Sequence, residues 1–312
     1  MRTGIVYAKT EEGLELPVID LTNSEFSVHA TEGEMTAMLE QFLQESAQRR
    51  ELSAEVQQAL RNSLFGRALM AASGTFLDAM STYRLKLGPE NLDAGATPVD
   101  RRIAASFPAF TSRIRMQDMA RLLAEGLAVA SADGPQRDVC LVNIGGGAGA
   151  DSWNALIYLR SEHPGLLAGR KVVITALDVD ARGPAFGVRA LEALREAAGP
   201  LCGLDIRFHY LSYEWSETER LRSALEELGA GDSVCAVSSE GALFEYGSDE
   251  EIVGNLKALH GGTRADAIVV GSVTRDGAAT RASARANSVA TRPRTLEGFA
   301  DWSSREAGCC NR

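Results

Sequence analysis

The most chemically suggestive stretch of the chain is a glycine-rich turn that directly follows an apolar run. Residues 139–159 read VCLVNIGGGAGADSWNALIYL, in which Gly145, Gly146, Gly147 and Gly149 precede an amphipathic segment. Glycine permits positive φ and lets a ligand approach the backbone closely, and a following helix points free N–H groups at the turn. The spacing fits the dinucleotide pattern G-x-G-x-x-G/A and also a G-x-G-x-G rhythm. The turn predicts a nucleotide-type ligand and leaves its identity open.

The second half of the chain alternates between apolar runs and helical patterns. The runs are VCLVNI (139–144), KVVITALDV (171–179), LDIRFHYL (204–211), DSVCAVSS (232–239) and DAIVVGSV (266–273), and the helical patterns lie near 151–161, 185–198, 216–229 and 248–260. Strands that alternate with helices indicate βαβ units and a parallel sheet. Continuous apolar runs are typical of strands buried on both faces. We therefore expect a doubly wound, Rossmann-like α/β core.

Polar residues follow four of these predicted strands, at the sheet edge where ligands bind in such folds. Asp178 ends the second strand, and we expect its carboxylate to accept both hydroxyls of a ribose. That role is common to dinucleotide and S-adenosylmethionine (SAM) sites, so Asp178 indicates adenosine rather than one cofactor. The predicted cofactor-binding residues are Asn143, Gly145, Gly146, Gly147, Gly149, Asp178, Val179, Ser212, Tyr213 and Ser238. The predicted catalytic residues are Asn143, Tyr213, Ser239 and Glu240.

Composition narrows the class of protein. With 312 residues, 45% of them hydrophobic, the chain can bury a large core, and a net charge of −10 argues against a nucleic-acid partner. No run approaches the roughly 20 apolar residues of a membrane span, and the first residues lack a signal-peptide pattern. The five cysteines form no C-x-x-C pair, and the four histidines are scattered, so we expect a cytoplasmic protein without a metal site. A small molecule is the expected substrate.

The first 135 residues follow different patterns. β-like runs at 4–8 and 14–20 predict a hairpin or two edge strands, and Thr31 with Glu34 forms a capping box that predicts a helix start. Further helices are predicted at 53–67, 67–87 and 111–131, with Pro89, Pro98 and Pro108 between them. The predicted domains are therefore a hairpin plus a helical cap over 1–135 and a ligand-binding core over 136–312 with a short C-terminal end.

Three segments together resemble the class I SAM-dependent methyltransferases. NIGGGAG resembles their first motif, with Asn143 in place of the usual acid, and ITALDVDARGPAFG resembles the second, with Asp178 aligned to the ribose-binding acid. SSEGALFEYGSDEEIVGNLKAL resembles their fourth strand and the helix after it. The resemblance implies SAM as the cofactor, a helical lid over the site, and methyl transfer to a small molecule in secondary metabolism.

Other functions remain open at this stage. GIVYAKTEEGLELPVIDLTNSEF and GSVTRDG…TRPRTLEGF resemble a natural-product subgroup of this fold, some of whose members cyclise SAM to azetidine-2-carboxylate and release methylthioadenosine. That chemistry needs a neutral amine, and Asn143 cannot offer a negative charge to the SAM ammonium. A nicotinamide-dependent oxidoreductase is disfavoured because Asp178 lies further from Gly145 than the roughly 20 residues of the dinucleotide fingerprint. A non-enzymatic protein of this fold would leave the polar strand ends without a role.

Overall fold

The computed structural model describes residues 2–48, 53–72, 76–132, 136–277, 280, 291–295 and 297. The strands are β1 (Tyr7–Lys9), β2 (Glu15–Pro17), β3 (Val139–Ile144), β4 (Lys171–Asp178), β5 (Asp205–Ser212), β6 (Val234–Ser239) and β7 (Ile268–Gly271). The helices are α1 (Glu32–Ala47), α2 (Ala54–Asn62), α3 (Leu64–Ala72), α4 (Ala79–Leu87), α5 (Pro98–Ala104), α6 (Phe107–Ala132), α7 (Ala150–Glu162), α8 (Arg182–Leu194), α9 (Thr218–Glu227), α10 (Leu243–Tyr246) and α11 (Asp249–Gly262). From β3 onward, strands and helices alternate as the sequence predicts.

Strands β3 to β7 form one parallel sheet in the order β5-β4-β3-β6-β7. The direction of winding reverses at β3, so the loops after β3, β4 and β6 surround a topological switch point, where ligands bind in doubly wound folds. This confirms the predicted α/β core. The helices that cover the sheet include α6, which lies against α7, β6 and β7.

Strand β5 departs from the expectation that each strand is buried on both faces. It forms the edge of the sheet, and its exposure alternates: Ile206 is buried, whereas Arg207 and His209 are exposed. Ile206 and Phe208 belong to the core on the side covered by α8. The apolar run at 204–211 therefore builds a half-covered strand, because one face of an edge strand can remain in water.

The N-terminal hairpin forms as predicted and is bound tightly to the core. Strands β1 and β2 pair antiparallel, and the chain turns at Gly13 with φ +81°. Beyond the hairpin, the carbonyl of Ile19 accepts hydrogen bonds from Trp153 Nε1 at 2.8 Å and Asn154 Nδ2 at 3.0 Å. Asn154 Oδ1 accepts the N–H of Leu21 at 2.8 Å. The first helix after the glycine turn is thus anchored to the N-terminal segment.

The structure confirms that the region after the hairpin is helical, but several helices begin and end at other residues than predicted. Thr31 and Glu34 form the predicted capping box of α1. The predicted helix at 67–87 is wrong: Asp78 caps a new helix by accepting the N–H groups of Met80 and Ser81, which separates α4 from α3. The sequence patterns did not predict helix α5, because Pro98 was placed between helices. Pro98 instead lies in the first turn of α5, where a helix needs no N–H donor.

Two further expectations concern the membrane and the chain end. Among the described residues, every helix is too short or too polar to cross a bilayer. The predicted short C-terminal end lies mostly outside the described residues. The predicted domain boundary adjoins residues 133–135, which are also outside them. The division into two domains stays a prediction.

Asn154→Ala tests the anchoring of the N-terminal segment. The substitution removes three buried hydrogen bonds and leaves the Leu21 N–H without its acceptor, so the free energy of unfolding should fall by about 1–3 kcal/mol. Urea denaturation measures it. Asn62→Ala, in the exposed C-terminal turn of α2, is the matched control and should change stability by less than about 0.5 kcal/mol. Equal stability of Asn154→Ala and the parent would contradict this anchoring.

Candidate functional site

The glycine turn between β3 and α7 has the backbone conformation that its sequence predicts. Gly145, Gly147 and Gly149 have φ of +68°, +53° and +75°, and Gly149 occupies the N-cap of α7. A Cβ at Gly145 would lie 2.5 Å from the Cβ of Ala242, and one at Gly146 would overlap the Asn143 side chain. The turn therefore excludes side chains for both conformational and steric reasons.

A cavity of about 300 Å³ opens above this turn, at the carboxyl ends of β3, β4 and β6. Its volume is at the lower end for small-molecule sites. The predicted residues that line it are Asn143, Gly145, Gly146, Gly147, Asp178, Val179, Tyr213 and Glu240. Gly149, Ser212, Ser238 and Ser239 were also predicted but lie outside the lining. Four lining residues that sequence reasoning missed matter most: Lys86, Arg115, Asp151 and Trp215.

Asn143 and Asp151 form a buried polar pair at the base of the cavity. The Asn143 amide nitrogen donates to the Asp151 carboxylate, and both side chains are almost fully buried. Asn143 Oδ1 and Asp151 Oδ2 have no hydrogen-bond partner within the described part of the chain. Burial raises the pKa of Asp151, and a hydrogen bond from Ser238 opposes this effect. The cavity therefore contains an acid beside Asn143, which corrects the premise that position 143 leaves the site without one.

The sequence could not single out Asp151. An acid in the first turn of a helix is common because it stabilises the helix dipole, so its type and position carry no special signal. The contact with Asn143 depends on how the glycine turn folds α7 back over the end of β3.

Asp178 connects the end of β4 to the glycine turn. Its Oδ2 accepts the N–H of Gly147 at 2.8 Å, and its Oδ1 accepts the N–H of Asp180 at 2.9 Å. Burial raises the pKa of Asp178, while these backbone N–H groups act in the opposite direction. A carboxylate has about four lone-pair sites, so each oxygen retains capacity for a ligand hydroxyl.

Glu240 lies in the cavity wall between two cations. Its carboxylate forms ion pairs with Lys86 Nζ and with Arg115 Nε, the latter at 2.5 Å. Burial acts to raise the pKa of Glu240, but the charges of Lys86 and Arg115 outweigh it and lower the pKa to about 2. While these ion pairs persist, Glu240 is a weak proton acceptor, and its catalytic role stays a prediction.

The remaining predicted catalytic hydroxyls have structural partners. The Tyr213 hydroxyl donates to Asn255 Oδ1 at 2.6 Å, and burial raises the pKa of Tyr213. Ser239 Oγ donates to the carbonyl of Ile144 and accepts the N–H of Leu243, both at 3.0 Å, which fixes the start of α10. Ser212 is exposed at the end of β5. A catalytic role for Tyr213 or Ser239 stays a prediction.

Helix α4 covers one side of the cavity and is joined to the sheet edge at both ends. At its start, the N–H of Ala79 donates to Asp180 Oδ2 at 3.1 Å. Towards its end, Lys86 reaches Glu240. Near the mouth, the ring of Phe76 lies 6.3 Å from that of Trp215. The predicted helical covering over the site is thus present. It supplies Lys86, a charged side chain that belongs to no sequence motif.

The chain is similar in fold to several solved methyltransferase structures, at low identity. No family model matches it, and no curated protein matches it. Similar structures include the mitomycin 7-O-methyltransferase MmcR (14% identity, TM-score 0.39, 85% of this chain and 69% of that one) and an O-methyltransferase family protein from Burkholderia thailandensis (16%, 0.37, 90% and 94%). CalO1, a methyltransferase in calicheamicin biosynthesis in its SAH-bound form, is 17% identical to this chain with a TM-score of 0.36. The match covers 72% of this chain and 60% of that one. Similarity at this level transfers no site residue to this chain.

Glu240→Gln tests the ion pairs in the cavity wall. Because the folded-state pKa of about 2 lies below the ordinary value of 4.5, the ionised carboxylate stabilises the fold by about 3 kcal/mol above pH 5. This contribution is lost as the pH falls from about 4.5 towards 2. The difference in unfolding free energy between parent and variant should therefore be largest near pH 6 and should shrink by pH 3, as measured by urea denaturation across pH.

The matched control for this prediction is Glu214→Gln, which removes an exposed carboxylate from the same cavity. Its effect near pH 6 should remain below about 0.5 kcal/mol. A difference for Glu240→Gln that does not vary with pH would mean that the carboxylate is not held in its charged form by Lys86 and Arg115.

Proposed function

We propose that the protein is a SAM-utilising enzyme that transfers a methyl group to a small molecule. One observation carries the proposal: a glycine turn, a strand-end aspartate and two buried acceptor atoms without partners meet at one cavity. Each feature alone is common in α/β proteins. Their coincidence at the switch point of the sheet supports a ligand with an adenosine end and an amino-acid end.

The residues present fit SAM in three respects. Asn143 Oδ1 and Asp151 Oδ2 are buried acceptors with no partner among the described residues. Leaving such atoms unpaired costs about 1–3 kcal/mol each, and the α-ammonium of SAM would supply N–H donors. Asp178 offers free lone pairs to the ribose hydroxyls, and Gly145, Gly146 and Gly147 line the cavity without side chains, so a ligand can approach their backbone.

The chain's remaining task is to align the reactants and exclude water. When bound, SAM supplies a methyl group on a sulfonium, which is already strongly electrophilic. Positioning is therefore the main catalytic requirement. Helices α4 and α6 cover the cavity, which favours both alignment of the reactants and exclusion of water. Glu240 is occupied by Lys86 and Arg115, and the Tyr213 hydroxyl is bonded to Asn255. This wall favours an acceptor that is already nucleophilic.

A second candidate function is conversion of SAM itself to azetidine-2-carboxylate with release of methylthioadenosine. Asp151 weakens the original premise for this function, because its carboxyl group lies beside Asn143 and can accept from the SAM ammonium. We therefore keep methyl transfer as the principal proposal.

Asp178→Asn tests the cofactor assignment. Loss of charge at this acceptor should weaken SAM binding about 10- to 100-fold, which corresponds to the 1.5–3 kcal/mol of a hydrogen bond to a charged group. Calorimetric titration with SAM measures the affinity. Asp205→Asn removes an exposed acid at the opposite, amino end of the sheet and should leave the affinity unchanged. Unchanged affinity in Asp178→Asn, or tight binding of NAD by the parent, would refute the assignment.

Incubation with SAM alone separates the two candidate functions. If the protein is a methyltransferase, mass spectrometry should show SAM intact, with no methylthioadenosine above the level in buffer, because no acceptor is present. Formation of methylthioadenosine together with azetidine-2-carboxylate, both absent with heat-inactivated protein, would replace methyl transfer with cyclisation.

A further inference from the structure

Two cations from different helices converge on one wall of the cavity. Lys86 comes from α4 and Arg115 from α6, and both line the cavity and pair with Glu240. Lys86 is only 9% exposed, whereas the Arg115 side chain is 34% exposed. A charged side chain as deep as Lys86 is costly unless it is paired and fully hydrogen-bonded, so the N–H donors that both cations have left indicate what the wall can bind.

Both cations retain N–H donors after their protein partners are counted. Lys86 has three N–H groups and one acceptor, Glu240, among the described residues. Arg115 donates from Nε to Glu240 and from Nη1 to Glu245, while Nη2 has no acceptor in the described ranges. Nη2 lies beside cavity-lining Gly241, where a Cβ would approach it to 2.5 Å.

The Arg115 guanidinium is also held in a fixed orientation. Glu245, itself buried, accepts from Arg115 Nη1 at 3.1 Å and from Ser272 Oγ at 2.9 Å. The Ser272 hydroxyl accepts the N–H of Gly241 at 2.8 Å. This chain of hydrogen bonds links the guanidinium to the loop after β6. The guanidinium therefore presents Nη2 in a fixed position, from which it can donate a charge-assisted hydrogen bond to a carboxylate.

We propose that Arg115 and Lys86 select a substrate that carries a carboxylate. The inference rests on the proposed function and names the substrate class for the same cavity: a small molecule whose anionic group accepts hydrogen bonds from Arg115 Nη2 and Lys86 Nζ. Phe76 and Trp215 near the cavity mouth add flat apolar surface. An aromatic carboxylate would match the two cations through its anionic group and this apolar surface through its ring. Glu240 and Glu245 hold the cations in place and keep the wall neutral until the anion binds.

The test compares benzoate with benzamide, a neutral molecule of nearly the same shape. Each is titrated by calorimetry into the full-length protein saturated with S-adenosylhomocysteine, which leaves only the substrate region free. Benzoate should bind at least 10-fold more tightly than benzamide. The preference should disappear in the double variant Arg115→Gln/Glu245→Gln, which removes one charge of each sign and so preserves the charge balance of the wall.

Arg121→Gln is the matched control, because Arg121 lies on the same helix with its side chain 48% exposed and outside the cavity lining. It should retain the full preference for benzoate. If the double variant unfolds below the assay temperature, Arg115→Lys is used in its place; it keeps the charge but removes the Nη2 donor, and it should lose most of the preference.

Two results would overturn the inference. One is equal affinity for benzoate and benzamide in the parent protein. The other is competition between benzoate and S-adenosylhomocysteine, which would mean that the cations serve the cofactor's own carboxylate. Repeating the titrations without S-adenosylhomocysteine separates the two proposals: failure of SAM and S-adenosylhomocysteine to bind refutes the proposed function, whereas the benzoate preference is still measured.

Discussion

Close approach of small residues fixes the geometry on which the cavity depends. A Cβ at Gly183 would lie 2.6 Å from the Cβ of Ala79 and 2.8 Å from the carbonyl carbon of Gly147. The start of α4, the glycine turn and the start of α8 therefore touch through nearly bare backbone. Since interiors tolerate little added volume, a larger side chain at any of these positions would lift α4 from the sheet edge.

The position of α4 in turn determines the electrostatics of the cavity. With its start against the glycine turn and bonded to Asp180, α4 extends across the sheet edge until Lys86 meets Glu240. Burial raises the pKa of Asp151, whereas the cations beside Glu240 outweigh burial and lower its pKa. The pKa values of these two buried acids are thus shifted in opposite directions, and the cavity has an acceptor-rich end at Asn143 and Asp151 and a donor-bearing end at Lys86 and Arg115.

The sequence predicted the features that local pattern determines. Apolar periodicity located all five core strands, and the parallel arrangement then placed Asn143, Asp178 and Glu240 on one edge. The splitting of the predicted helix at 67–87 depended on Asp78, whose capping role is visible only when the helix that it starts is known. Sequence patterns of this kind specify the presence of a helix or strand more reliably than the residues at which it begins and ends.

The sequence could not predict the partners that meet through tertiary packing. Glu240 is separated in sequence from Lys86 by 154 residues and from Arg115 by 125, and neither cation belongs to a recognisable motif. They lie together only because α4 and α6 pack against each other over the switch point. The strand-end position predicts Glu240 as a catalytic residue but carries no information about these cations, which determine its charge state.

Asn143 stands where the methyltransferases that the sequence resembles have an acid. The structure explains this difference and changes its functional meaning. An acid at this position would place a second carboxylate against Asp151 in a fully buried site, where like charges disfavour ionisation of both groups. An asparagine instead donates to Asp151, while its own Oδ1 has no hydrogen-bond partner in the described part of the chain. The acidic group has moved from the strand to the first turn of α7, and the site retains it. Asn143 is therefore compatible with an ammonium ligand, and its presence alone does not favour a neutral amine.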